Sequence, residues 1–85
     1  MTMSEWEAQN PIVRWRASKK KSQQDVAVAT DSSNSLVRDW EKGRVFPSWV
    51  KVEALAALME RNAAKLEHTL RLWWLGRPEP QEVTA

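Results

Sequence analysis

The chain has 85 residues, 42% of them apolar, with 13 Lys+Arg, 11 Asp+Glu, two Gly, six Trp and no Cys, the composition of one small domain with a modest core. Without cysteine there is no disulfide scaffold, thiolate zinc site or cysteine nucleophile, and the single His68 cannot assemble a multi-histidine metal site. No apolar run reaches the length of a membrane span, and the polar, acidic opening Met1 to Asn10 is unlike a secretory signal, so a cytoplasmic protein is expected.

Residues 1–10 read as a flexible N-terminal segment. Asn10-Pro11 then supplies an N-cap and a proline at the first helical position, where its missing N–H costs nothing. A helix should begin there, burying Ile12, Trp15 and one side of Val13, with Lys19-Lys20-Lys21 at its C-terminal end. Ser22-Gln23-Gln24-Asp25 reads as a capping box opening a second helix that ends near Ala29 or Thr30 and turns Val26 and Ala27 inward. Thr30 to Ser35 is dense in residues that bond their own backbone, hence a turn, and Ser33 caps a third helix with Leu36, Val37 and Trp40 on one face. Gly43 stops it.

Pro47-Ser48 leads into a fourth helix in which Trp49, Val52, Leu55, Ala56 and Met59 repeat at the amphipathic period. All five are expected in the core. Asn62 marks a break before a fifth helix with Leu66, Leu70 and Trp73 or Trp74 on one side, ended by Gly76 and Pro78. Residues 77–85 read as a disordered tail. The chain is thus expected to be all-α with five helices: a domain over residues 11–60, a C-terminal helix over 61–76, and two unstructured ends.

Charge is uneven along this plan. Residues 11–52 carry nine basic side chains against four acids, whereas residues 1–10 carry only Glu5 and Glu7. The electropositive middle can attract a polyanion. Two short helices joined by a polar turn within that segment are the ingredients of a helix-turn-helix, which presents its second helix to the DNA major groove.

The residues also resemble a known family, the lambda repressor-like (Cro/C1-type, XRE-type) helix-turn-helix domains. Its pattern is met without a gap by Ser22-Gln23, Val26-Ala27, Val37, Trp40-Glu41, Gly43 and Pro47-Ser48, and the resemblance covers about residues 11 to 60. The turn departs from it, with Thr30, Asp31 and Ser32 where the family has an apolar residue, glycine and another apolar residue. Asp31 tolerates the left-handed conformation better than most residues. Lys21 stands where the family commonly has leucine.

The resemblance implies roles by position. Arg16 and Glu41 form a structural ion pair. Ser33, Asn34, Ser35, Arg38 and Asp39 face the bases, with asparagine suited to adenine and arginine to guanine. Lys19, Lys20, Lys21, Gln23, Lys42 and Arg44 contact phosphates. Without the family register, Asn34 and Ser35 read as ordinary helix-start residues and the triple lysine as a solvated helix end.

Leu66, Leu70, Trp73 and Trp74 form either a dimer or partner surface or the closure of the monomer's own core, with dimerisation preferred. The expected function is a sequence-specific regulator of transcription, a small bacterial or phage repressor binding double-stranded DNA as a homodimer on a palindromic operator and associated with the nucleoid. The alternative is a protein-binding module, an antitoxin or inhibitor acting through the Trp-rich C-terminal surface. No enzyme, metal, cofactor, small-molecule ligand or membrane partner is expected, since no phosphate loop, metal cluster or nucleophile-base constellation is readable.

Overall fold

Six side-chain caps begin six helices, each accepting a backbone N–H of the first turn: Thr2, Asn10, Ser22, Ser33, Ser48 and Asn62. The computed structural model describes residues 1–79, and the helices that follow these caps are α1 (Met3–Ala8), α2 (Pro11–Lys19), α3 (Gln23–Ala29), α4 (Asn34–Glu41), α5 (Trp49–Met59) and α6 (Ala63–Leu75), with no strand among the described residues. The all-α class is as expected, with one helix more.

The additional helix, α1, occupies the segment read as flexible. Thr2 and Glu5 form a reciprocal capping box, Glu5 N–H donating to Thr2 Oγ1 at 3.1 Å and Thr2 N–H to Glu5 Oε1 at 2.9 Å. Six residues do not hold a helix in water. Docking does: Trp6 is 2% exposed and stacks on Trp73 with ring centroids 4.0 Å apart and planes 4° from parallel. The two indoles are tied crosswise, each Nε1–H donating to the other residue's carbonyl at 2.7 Å.

The core gathers one stripe from each of the remaining helices. Ile12 comes from α2, Val26 and Ala27 from α3, Val37 and Trp40 from α4, Val52, Leu55, Ala56 and Met59 from α5, and Leu66 and Leu70 from α6, all buried. Trp15, Leu36 and Phe46 pack around it half-buried. Asn10 is fully buried between α1 and α2; its Oδ1 accepts from Ile12 N–H at 2.7 Å and its Nδ2 donates to the Trp40 carbonyl at 3.2 Å.

The expected dimer surface is corrected on two residues. Leu66 and Leu70 are 0% and 2% exposed within the monomer, because α6 folds back against α5 and α2. Trp73 is held by Trp6, and Trp74 meets the Phe46 ring edge-on at 5.5 Å. Trp49, placed in the core by its period, is 48% exposed. It is the first residue of α5, and a stripe gives the direction of a side chain without guaranteeing that neighbours reach that end. Arg77, read as the start of the tail, lies over the Trp6 and Trp74 rings and donates to the Gly43 carbonyl. The rest of that tail, from residue 80, lies outside the described residues.

Left-handed backbone occurs at two positions that shape the α3–α4 unit. Asp31 sits at φ 51° in the turn and Gly43 at φ 70° beyond α4. The turn is held without an apolar plug: the buried Thr30 hydroxyl donates to the Val26 carbonyl at 2.8 Å, Ser32 N–H donates to the Ala27 carbonyl at 2.8 Å, and Lys51 Nζ reaches across from α5 to the carbonyls of Thr30 and Asp31, both at 2.8 Å. A Cβ on Gly43 would run into the Trp6 ring. Opposite outcomes are expected in thermal unfolding. Asp31→Gly should stabilise by roughly 0.5–1 kcal/mol, relieving the left-handed cost. Gly43→Ala should destabilise by more than about 1–2 kcal/mol, since strain adds to displacement of α1.

Candidate nucleic-acid interface

α3, the turn and α4 are braced from α2. Arg16 donates to both oxygens of Glu41, from Nε to Oε2 at 2.7 Å and from Nη2 to Oε1 at 2.8 Å, a two-bond fork between the middle of α2 and the end of α4. Gln23 Nε2 adds a third bond to Glu41 Oε1 at 2.9 Å, and Arg16 Nη1 reaches the Lys21 carbonyl at 3.3 Å. One guanidinium and one carboxylate thereby connect α2, the loop before α3, the first residue of α3 and the last residue of α4. The carboxylate is nearly buried, at 5% side-chain exposure against 21% for the guanidinium. The hydrogen bonds to Glu41 push the Arg16 guanidinium above its already high ordinary value.

With its inner face on the core, α4 turns Ser33, Asn34, Ser35 and Arg38 to solvent. They are not equally available. The Ser33 oxygen accepts from Leu36 N–H at 3.1 Å, so it serves first as the helix cap. Asn34 Nδ2 donates to Gln24 Oε1 at 2.5 Å, linking the first residue of α4 to the second of α3. Asp39 is half-buried and faces Arg44, with Nη1 3.7 Å from Oδ1. Arg38 enters none of the four ion pairs found among the described residues.

The expected phosphate-contacting residues divide in the same way. Lys19 at the end of α2 and Lys20 and Lys21 just beyond it are exposed and outside those ion pairs. The Gln23 side chain is committed to Glu41, Arg44 is shared with Asp39, and Lys42 Nζ lies 3.1 Å from Glu7 Oε2 on α1. Two participants escaped the sequence reading. Gln24 was visible as the second glutamine of a capped helix start. Glu7 carried no such signal, because only the docking of Trp6 brings α1 to the end of α4.

The chain matches the family model of the helix-turn-helix domain over residues 13–69 and belongs to that family, in keeping with its lambda repressor-like pattern. The family's fold is that of DNA-binding regulators, the class to which this arrangement of α3 and α4 belongs. The matched segment begins inside α2 and ends inside α6, so α1 and the Trp6–Trp73 clasp lie outside it. Neither curated proteins nor solved structures gave a match. No helix among the described residues is long and apolar enough to cross a membrane.

Removing one partner of the brace strands the other. Arg16→Ala is expected to lose about 2–4 kcal/mol in urea unfolding, while Arg16→Met with Glu41→Leu should lose less than either single change. A second test concerns acid. Asp25 accepts from Ser22 N–H at 2.9 Å, and the bonds from the Ser22 backbone and hydroxyl hold its carboxyl below the usual range. A lowered folded-state pKa gives stability that is present above the ordinary aspartate value of about 3.9 and is lost as pH falls through the lower folded value. Thermal melts of Asp25→Asn should therefore show a shallower loss in that acid window than the unmodified chain.

Proposed function

We propose that the protein is a sequence-specific transcriptional regulator that inserts α4 in the major groove of double-stranded DNA. The observation carrying this reading is the exposed face of α4, braced from behind by Arg16 and Glu41 and flanked by the unpaired Lys19, Lys20 and Lys21. Arg38 reads bases, with guanine the best geometric partner, and Asn34 and Ser35 act beside it, Gln24 orienting Asn34. The lysines supply affinity by releasing counterions. Arg44 and Gln23 contribute by contact at the groove edge, each after loosening an internal bond.

A repressor of bacterial or phage type, acting by occupying promoter DNA, is the simplest mode for such a domain, and two copies on a palindrome one helical turn apart would double the readout. Leu66 and Leu70 are unavailable for that pairing. Leu72 and Leu75 are available, 58% and 73% exposed near the C-terminal end of α6. The rival reading, a protein-binding module built on Trp73 and Trp74, loses ground for the same reason as the first dimer surface: both rings are engaged inside the monomer.

Selection of bound sequences from a random duplex pool tests the proposal, with a two-fold symmetric motif expected. Arg38→Ala should relax the selected base preference at one position of each half-site. Lys21→Ala should weaken all duplexes alike and reduce the salt slope by about one. An unchanged motif in Arg38→Ala would remove that residue from the base-reading set.

A further inference from the structure

Beside the brace, α1 lines one wall of an open cleft of about 320 Å³. Ser4, Glu7 and Ala8 line it from α1, opposite Arg16, Gln23, Glu41 and Lys42. Two of those opposing residues, Gln23 and Lys42, hold positions that the family pattern gives to phosphate contacts. α1 is therefore a neighbour of the surface where the DNA backbone would lie, and the side chain it brings nearest to Lys42 is an acid, Glu7, at 3.1 Å.

Nothing in the packing of α1 requires an acid at this position. Trp6 holds the helix by its stack and its two crosswise hydrogen bonds to Trp73. Lys42 is open to this pairing because the adjacent Glu41 spends its oxygens on Arg16 and Gln23. A carboxylate fixed beside a phosphate-binding lysine opposes a polyanion twice: it occupies the ammonium, and it repels the incoming charge. The anchoring of Trp6, fully buried next to it in sequence, means the charge is held in place rather than carried on a loose arm.

We infer that Glu7 is a built-in competitor for DNA phosphate at Lys42, so that α1 sets the affinity of the interface downward. The inference rests on the DNA-binding reading above and concerns its strength rather than the sequence read. Binding requires Lys42 to exchange the Glu7 carboxylate for a phosphate oxygen, and the displaced carboxylate is left in the cleft beside the DNA backbone. Complexes that depend on phosphate contacts alone suffer most from this opposition, whereas base contacts from α4 are untouched.

The pair is partly exposed, with side-chain exposures of 44% for Lys42 and 27% for Glu7, so the expected effect is moderate. In the full-length chain, Glu7→Gln should bind a mixed-sequence synthetic duplex about three- to tenfold more tightly at low salt, with a salt slope steeper by about one. Glu7→Ala should behave alike, and neither should gain affinity in a Lys42→Ala background. Circular dichroism should show wild-type helicity for both. Equal affinity of Glu7→Gln and the unmodified chain would overturn the competition, as would an equal gain with Lys42 absent, which indicates a general charge effect. If neither form is retained on any duplex at low salt, the DNA-binding reading itself fails and the competition falls with it.

Discussion

The fork between Arg16 and Glu41 is the constraint on which the DNA-facing geometry depends. It spans 25 residues of sequence and connects the scaffold helix α2 to the far end of α4, with Gln23 attached to the same carboxylate. A buried pair of this kind adds little net stability, because desolvation offsets much of its Coulomb attraction. Its effect is on angle and register. Arginine is suited to the task because its planar fork meets both carboxylate oxygens at once, where a lysine would act as a swivelling point charge. With the start of α3 and the end of α4 held to one carboxylate, the outer face of α4 is presented at a set angle whatever the side chains on it are. The brace and the exposed face of α4 are thus chemically separate.

A second device lies at the other end of the chain. Trp6, Trp73, Trp74 and Arg77 form a stacked and hydrogen-bonded group that joins the first helix to the last and reaches the end of α4 through the Gly43 carbonyl. Gly43, two residues beyond α4, must be glycine for two independent reasons: its φ of 70° is left-handed, and the Trp6 ring occupies the space a Cβ would need. The family core accounts for the first reason alone. The second arises only because this chain adds α1 outside the segment that matches the family.

The same addition alters the electrostatics of the interface. The excess of basic residues in the middle of the chain suggests a uniformly attractive surface, but side-chain pairing divides it. Lys19, Lys20 and Lys21 project into solvent, while Lys42 and Arg44 face Glu7 and Asp39. Unpaired positive charge is therefore concentrated on the approach to α3, and the far end of α4 is held near neutrality. On the DNA-binding function proposed above, such an arrangement would leave more of the discrimination to base contacts, because fewer cations would act on the phosphate backbone irrespective of sequence.

Much of the fold was legible locally. Caps and stops are set by residues within a turn of one another, so Asn10-Pro11, the Ser22–Asp25 box, Ser33, Gly43, Ser48 and Asn62 could be read directly, and the helix-turn-helix register followed from them. The capping box of Thr2 and Glu5 was equally local, yet a six-residue helix has no stability of its own, and only burial of Trp6 against Trp73, 67 residues away, makes it form. Leu66, Leu70 and Trp49 illustrate the same boundary. Hydrophobic period tells which residues share a face, and the sequence alone determined those faces, the caps between them and the family pattern of α3 and α4. What covers each face depends on where the neighbouring helices lie. Tertiary structure alone decided that α6 closes its own core, that the first residue of α5 stays in solvent, and that an acid on α1 arrives beside Lys42, since each of these is a contact between segments whose separation no local rule encodes.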